Sequence, residues 1–369
     1  MFEMSVCIIT KNECEMLEKC LKSLHPFGFE ILVVDTGSTD GTIEMAKNYT
    51  DSIYEFEWID DFAAARNFAI SKANYDQILV VDSDEYYISG DIDRLIELTK
   101  RYPEAAGEIR QIEYVPNETG QLEERIIGLA RVFNRKHFHY GGRIHERLVE
   151  GSVFDPDRND SRDLFVNESG EKSELFDTGL LFGHDGYSGE GKDRVGKARR
   201  NVELLKKELE LYPDMPDLIY QTAKSVYVAY GPKEALPYYE KALSLPLDSS
   251  VFWVIDMIVC YGYLLLELEM YEQALSLEAV YEDLRGSTDY IFLMGLIHMN
   301  NAMFDRAKEE FLRCTTMGAD RSVGTNSFKA YYNAGVIEEC MDHKDKAREY
   351  YVAAGDYEPA KAGLERIGV

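Results

Sequence analysis

The chain is short of positive charge. Its 369 residues carry 40 Lys and Arg against 67 Asp and Glu, a net charge of −27. A nucleic-acid backbone or an anionic membrane surface needs a basic face, so neither is expected as a partner. Long apolar runs are missing too: none reaches the roughly 18–20 residues of a membrane-spanning helix. The segment MFEMSVCIIT has no basic n-region and no cleavage site, and the expectation is a cytoplasmic protein. Cysteines are few. Cys7, Cys14, Cys20, Cys260, Cys314 and Cys340 form no CxxC pair and no metal-ligand spacing. They read as buried free thiols of a reducing compartment. Familiar catalytic loops are absent as well: GSTDGT lacks the Gly-Lys-Ser/Thr ending of a Walker loop, no GxGxxG follows the first apolar run, and there is no GxSxG elbow. Nucleoside triphosphate hydrolysis, dinucleotide binding and α/β-hydrolase chemistry are therefore disfavoured.

What is present divides into two halves with different periodicities. In the first, the apolar runs Ser5–Thr10, Glu30–Asp35 and Gln77–Asp82 have strand length, and helical patterns lie at 13–24, 42–48 and 62–73. Strands this continuously apolar imply a parallel sheet covered by helices on both faces. Ligands of such sheets bind beyond the carboxyl ends of the strands. Polar residues gather at those ends: Thr10-Lys11-Asn12-Glu13, Asp35-Thr36-Gly37-Ser38 and Asp82-Ser83-Asp84-Glu85.

From about Pro213 the chain reads as helices rich in Tyr, Leu and Ala. Small residues recur in pairs twelve apart: Ala223 and Ala235, Gly262 and Ala274, Gly295 and Ala307, Gly335 and Ala347. An aromatic follows four residues after the second member in three of them (Tyr239, Phe311, Tyr351) and is expected to fill the space between helical hairpins. The pattern resembles the tetratricopeptide repeat. The expected layout is an α/β domain over 1–190, a charged linker helix over 191–211, and about four all-α repeats over 212–369.

Asp82-Ser83-Asp84 is the sharpest chemical signal. At a strand end, residues i and i+2 face the same way, so both carboxylates are expected to share one crevice. Two hard carboxylates suit Mg²⁺ or Mn²⁺, with a bound diphosphate completing the shell. The wider order SVCIITKNE, EILVVDTGSTDGT, DDFAAARNFAI and QILVVDSDE resembles the inverting family 2 glycosyltransferases of GT-A fold, closest to bacterial members that carry tetratricopeptide repeats. That resemblance implies a Rossmann-like nucleotide-sugar domain, a UDP-sugar donor and a Mn²⁺ or Mg²⁺ cofactor. It places Thr10 and Glu13 beside the nucleoside, Asp35 on the uracil or ribose, Arg66 near the uracil or diphosphate with Asn67 supporting the loop, Asp82 and Ser83 at the donor, and Asp84 on the metal. Other roles stay open from the residues alone. Thr10 and Asn12 are also suited to capping the next helix, Asp40 and Gly41 to shaping a turn, and Arg66 to pairing with Asp60 or Asp61.

Two further islands carry chemistry. In RVFNRKHFHYGGRIHERLVE, the resemblance points to Glu146 as the base that deprotonates the acceptor, with His145 beside it. Pairing of Glu146 with Arg143 or Arg147 is the structural alternative. In LLFGHDGYSG, the resemblance makes His184 the candidate extra metal ligand, with a satisfied core or turn histidine as the structural alternative, and Lys192 and Arg194 either neutralise the leaving diphosphate or belong to a solvated helix face. The expected function is transfer of a hexose to a peptide or protein acceptor held by the repeats. The alternatives are transfer to a lipopolysaccharide or capsule intermediate, with the repeats making a homodimer, and a scaffold whose transferase domain has decayed.

Overall fold

The computed structural model describes residues 3–116, 122–151, 175–184, 194–249, 251–320 and 322–368. The chain divides into two compact units, 1–193 and 194–369. The first contains β1 (Met4–Thr10), α1 (Cys14–Leu24), β2 (Glu30–Asp35), α2 (Thr42–Ala46), β3 (Ile53–Glu55), α3 (Phe62–Lys72) and β4 (Gln77–Val80). There follow β5 (Glu85–Ser89), α4 (Ile92–Arg101), β6 (Ala106–Pro116), β7 (Leu122–Asn134), β8 (Phe138–Gly141), β9 (Arg147–Glu150) and β10 (Leu175–His184).

Eight strands form one sheet in the order β3-β2-β1-β4-β7-β6-β10-β5, and β8 and β9 make a separate hairpin. The apolar runs behave as their continuity demands. Val6 and Ile8 of β1, Ile31 and Val33 of β2, and Leu79 of β4 pack on one face. Cys7, Leu32, Val34, Ile78 and Val80 pack on the other. Burial on both faces is the condition that excludes alternation. The expected parallel sheet is only half the sheet. β1 pairs parallel with β2 and β4, and β2 with β3. Beyond β4 the sheet is mixed: β7 is antiparallel to β4 and β6, β10 is parallel to β6, and β5 is antiparallel to β10. The architecture remains the GT-A-like α/β sheet that the resemblance implies.

The second unit is all α. It comprises α5 (Arg194–Leu211), α6 (Pro216–Tyr230), α7 (Pro232–Leu243), α8 (Phe252–Glu267), α9 (Tyr271–Ala274), a 3₁₀ segment (Leu275–Val280) and α10 (Tyr281–Leu284). Then come α11 (Thr288–Asn300), α12 (Phe304–Cys314), α13 (Phe328–Cys340), α14 (Lys344–Ala353) and α15 (Glu358–Ile367). The twelve-residue pairs fall on successive helices: Ala223 on α6 with Ala235 on α7, Gly295 on α11 with Ala307 on α12, Gly335 on α13 with Ala347 on α14. This is a stack of helical hairpins of the tetratricopeptide kind. The aromatics pack both within and between hairpins. A Cβ built on Gly295 would lie 2.6 Å from the Phe311 ring, and one on Gly335 2.6 Å from the Tyr351 ring, so these rings fill their own hairpins. Tyr351 also meets α15, and Tyr239 of α7 stacks on Tyr261 of α8 with centroids 6.1 Å apart. Gly262 does face a neighbouring hairpin, at Leu293 of α11.

All six cysteines are free thiols, but only Cys7, Cys20 and Cys314 are buried, and Cys340 at the end of α13 is exposed. Among the described residues, no helix is long and apolar enough to cross a membrane.

Tyr351 is fully buried and meets Gly363 of α15 on its other side, where an added Cβ would also come within 2.6 Å. The ring has nowhere to retreat. Helix propensity alone makes Gly335→Ala favourable by about 1 kcal/mol, but forcing a methyl against a trapped ring costs about 1–3 kcal/mol. Gly335→Ala is therefore expected to lower the unfolding midpoint of the repeats by a few degrees. In a Tyr351→Leu background the same change is expected to be neutral or stabilising. A higher midpoint for Gly335→Ala in the natural chain contradicts this packing.

Candidate functional site

The carboxyl ends of β1, β2 and β4 form a crevice built largely from turns. Thr10 pairs with Asp35 in register, and the Thr36 N–H and hydroxyl both donate to the Thr10 carbonyl at 3.0 Å. Asp35 turns its carboxylate onto its own loop and accepts the N–H groups of Gly37 at 3.1 Å and Ser38 at 3.0 Å. Asn12 sits at φ 54, in the left-handed region that Asn tolerates. Its Oδ1 accepts the Thr39 N–H at 2.7 Å. Neither Thr10 nor Asn12 caps α1, whose N-cap position is Glu13 and has no side-chain cap. The Thr10 hydroxyl oxygen is buried and has no partner among the described residues. Asp40 accepts the N–H of Thr42 at 2.9 Å and also its hydroxyl, so it shapes the entry to α2.

The Asp82–Asp84 segment differs from its expected form. β4 stops at Val80, and Ser83 and Asp84 lie in a turn. The two carboxylates consequently go to different partners. Asp82 meets Arg66 Nη2 through Oδ1 at 2.7 Å and Arg131 Nη2 through Oδ2 at 2.7 Å. Asp84 Oδ2 lies 3.2 Å from His184 Nε2. Ser83 donates its hydroxyl to the carboxylate of Glu13, which links the first and third polar ends. Burial alone would raise the Asp82 carboxyl, but the guanidiniums of Arg131 and Arg66 override it and hold the pKa well below the usual range. Glu85 goes the other way: burial and the neighbouring Asp82 charge raise its pKa against the pull of Arg131. For His184, burial opposes protonation, yet the hydrogen bond and charge of Asp84, backed by Glu85 and Asp82, raise the pKa.

Arg66 is delivered by α3. Asp61 caps that helix by accepting the Ala64 N–H at 2.8 Å, and Ala63, Ala65 and Ala69 keep it close to the sheet. Arg66 does not pair with Asp60 or Asp61. Its Nε and Nη2 both reach Glu146 Oε1 at 2.6 Å, while Nη2 also serves Asp82. Nη1 is buried without a partner among the described residues, and the guanidinium carbon lies 5.4 Å from the centre of the Tyr140 ring. Asn67 clamps β8 in both directions, donating to the Tyr140 carbonyl at 2.7 Å and accepting its N–H at 2.9 Å. Glu146 thus pairs with Arg66, rather than with Arg143 or Arg147, and one guanidinium joins it to Asp82. His145, beside it, is exposed at φ 53.

His184 reaches the crevice because β10 pairs with β5 in a register that sets His184 opposite Glu85. Arg194 is exposed at the start of α5, and Lys192 lies outside the described residues. Three further residues complete the site: Glu85 and Arg131 lie in the motifs VDSDE and RVFNRKHFHYGGRIHERLVE without an expected role, and Gln111 lies outside both. Glu85 accepts the Asp82 N–H at 2.8 Å and a Gln111 amide, and Arg131 lies 3.3 Å from its Oε1. Arg131 carries a detectable signal, a lone charge between Ala130 and Val132 in an apolar strand run. Gln111 carries none.

Among the described residues, no group of three or more His, Cys, Asp or Glu side chains is arranged to hold a metal ion. Asp84 and His184 supply one hard oxygen and one imidazole, a pair that fits Mn²⁺ or Mg²⁺ when a bound ligand provides the remaining oxygens.

Removing the Asp82 charge leaves two guanidiniums facing each other with too little counter-charge. Asp82→Asn is expected to destabilise the first unit by about 3 kcal/mol. The pH sign follows from the depressed pKa. The stabilisation is complete above the ordinary carboxylate pKa of about 4 and is lost as pH falls toward the folded-state value. Thermal melts between pH 3 and 7 are expected to show the deficit of the variant at neutral pH and its shrinkage at the acid end. A constant deficit across that range rules out an ionic origin.

The family model of Glycosyl transferase family 2 matches residues 5–151. The chain is 26% identical over 239 residues to the SPbeta prophage-derived glycosyltransferase SunS of Bacillus subtilis (strain 168), covering 64% of this chain and 52% of that protein. It is 30% identical over 226 residues to the TPR repeat-containing protein Synpcc7942_0270 of Synechococcus elongatus (strain ATCC 33912 / PCC 7942 / FACHB-805), covering 61% of this chain and 51% of that one. The chain therefore spans about half the length of these curated relatives. A solved structure of YrrB, titled a TPR protein with an unusual peptide-binding site, aligns with 26% identity over 46% of this chain and 85% of that one, at a TM-score of 0.40. The polar strand ends and most of the mixed sheet lie in the part of the first unit, residues 5–151, that matches the family 2 glycosyltransferase model.

Proposed function

We propose that the chain is a metal-dependent inverting glycosyltransferase that moves a hexose from a UDP-sugar, UDP-glucose or UDP-N-acetylglucosamine, to a peptide or protein side chain. The observation that carries this reading is the Asp84–His184 pair at 3.2 Å beside a guanidinium, Arg66, that retains a buried unpartnered nitrogen. An N–H held in that state is suited to an anionic oxygen, and a free Thr10 hydroxyl at the end of β1 is a further donor for the nucleotide. Asp84 and His184 would hold the Mn²⁺ or Mg²⁺, which when bound would supply charge neutralisation to the diphosphate leaving group.

The chain's own residues do the rest. Asp35 stabilises the loop after β2 against the nucleoside, and Glu13 with Ser83 joins the floor of the crevice. Glu146 is the proposed base. An inverting displacement needs a carboxylate on the face opposite the leaving group, and Arg66 fixes Glu146 to the same charge lattice that fixes Asp82. Both of its bonds to Arg66 fall on Oε1, which leaves Oε2 as the oxygen to take the acceptor proton. The helical hairpins offer a continuous repeat surface, the usual form of an extended-segment binder, and serve to hold the acceptor.

Incubation with UDP-sugars, Mn²⁺ or Mg²⁺, and either peptides or lipid-linked glycans reads the reaction as UDP release and acceptor mass gain. Mass gain on peptides is expected; gain only on glycans assigns the acceptor class otherwise. Asp84→Ala is expected to reduce turnover by about 100-fold or more at fixed metal, and intact turnover excludes Asp84 as a ligand. The correct donor raises the unfolding midpoint because it binds only the folded state, by about 2.7 kcal/mol of added stability at 100 times its dissociation constant. No shift with any UDP-sugar contradicts the donor assignment.

A further inference from the structure

The turn that carries Asp84 is closed twice. The Glu85 N–H donates to the Asp82 carbonyl at 3.0 Å, and the Asp82 N–H donates to Glu85 Oε2 at 2.8 Å. Glu85 is 1% exposed, and its second oxygen is also committed: Oε1 accepts the Gln111 amide and lies 3.3 Å from Arg131 Nη2. That same Nη2 holds Asp82 Oδ2 at 2.7 Å. Glu85 is in addition the register partner of His184 across β5 and β10. One buried carboxylate therefore touches the backbone of the turn, Gln111 of β6 and the arginine that anchors Asp82, while the backbone of the same residue stands in register with His184.

We propose that Glu85, Arg131 and Gln111 are positioning residues for the donor site. They set the Asp82–Glu85 turn so that Asp84 meets His184, and they aim Asp82 at Arg66. The inference rests on the glycosyltransferase reading above and adds to it three residues that touch neither donor nor acceptor.

The chemistry demands a carboxylate at position 85. Its two oxygens accept from three donors: a backbone N–H, an amide and a guanidinium. A glutamine there presents one oxygen and one NH₂, so at least one donor faces another donor in a buried setting, where an unmade bond is costly. The turn then loosens on whichever side loses its acceptor. Arg131→Lys keeps the charge but exchanges a planar fork for a point charge on a flexible stem. Gln111→Met removes a single donor and leaves the hold of Glu85 on Asp82 intact.

The test uses the full chain with Glu85→Gln, Arg131→Lys and Gln111→Met. Mn²⁺ binding in the presence of UDP is followed by electron paramagnetic resonance of the free ion, together with the metal dependence of UDP release and the thermal midpoint. Glu85→Gln and Arg131→Lys are expected to weaken Mn²⁺ binding by about 10–100-fold, the usual range for residues that orient metal ligands, with turnover recovering at high Mn²⁺. Gln111→Met is expected to move the same constant in the same direction by a smaller factor. A merely structural role lowers the midpoint and the folded fraction but leaves the metal constant of the folded molecules where it was. Metal constants within twofold of the natural chain for the folded variants overturn the proposal. If Glu85→Gln does not fold, Gln111→Met decides alone. Absence of any UDP-dependent Mn²⁺ binding in the natural chain overturns the function itself, a result distinct from an unchanged variant.

Discussion

Two buried arginines that share one carboxylate are the constraint on which the site depends. Arg66 and Arg131 each place Nη2 2.7 Å from an oxygen of Asp82. Two guanidiniums brought to one carboxylate repel each other, and both are largely buried. The arrangement holds only because Glu85 and Glu146 stand on the outer sides, so that two guanidiniums sit among three carboxylates. Such a lattice contributes little net stability relative to an apolar core, because desolvation offsets most of the Coulomb gain. What it contributes is geometry: each member has one position in which all its neighbours are satisfied. The elements around it follow. α3 is rich in alanine so that Arg66 lies flat against the sheet, and β7 runs antiparallel to β4 so that Arg131 arrives at the end of the strand that delivers Asp82.

How much of this is legible in the sequence depends on distance along the chain. The three apolar strands are local features, and β2 spans Glu30–Asp35 as read. The polar strand ends were legible for the same reason. The pairing of Asp82 was not. Treating 82–84 as the tail of a strand predicts a shared crevice for both carboxylates, whereas the strand ends early and the turn sends them apart. Gln111 lies outside the motifs and Arg131 only opens one, and their relation to Glu85 depends on strand order, which no local period encodes. Arg66 was legible as a site residue, but its partners were not, because Glu146 is eighty positions away. His184 stood out for its place after an apolar run. The pairing of β10 with β5, which joins residues a hundred positions apart, explains why it meets Asp84.

The helical unit is legible for the opposite reason. Its contacts repeat at short range, so a fixed offset of twelve between small residues is enough to locate the paired helices. The aromatic ring has two uses there: Phe311 packs inward on Gly295 of its own hairpin, whereas Tyr351 meets both Gly335 of its own hairpin and Gly363 of α15. Contacts between hairpins are shared by such rings, by Tyr239 on Tyr261 and by Leu293 against Gly262.

The acidic balance of the chain takes on meaning once it is placed. Of the 67 acidic residues, 39 lie in the first 193 positions, against half of the 40 basic ones. The excess of negative charge therefore sits in the unit with the crevice, not chiefly on the repeats. A nucleotide-sugar donor is itself anionic, and it meets a unit whose field opposes its approach. Arg131 is consumed by Asp82 and Glu85, and Arg66 by Asp82 and Glu146, apart from one nitrogen. The local positive charge that a diphosphate requires is thus not supplied by the arginines alone. The proposed divalent ion, held by Asp84 and His184, would resolve that conflict by giving a site with surplus carboxylate the positive charge that phosphate oxygens need. The proposed metal requirement thus rests on the electrostatics of the whole unit, with the turn that carries Asp84 as its point of application.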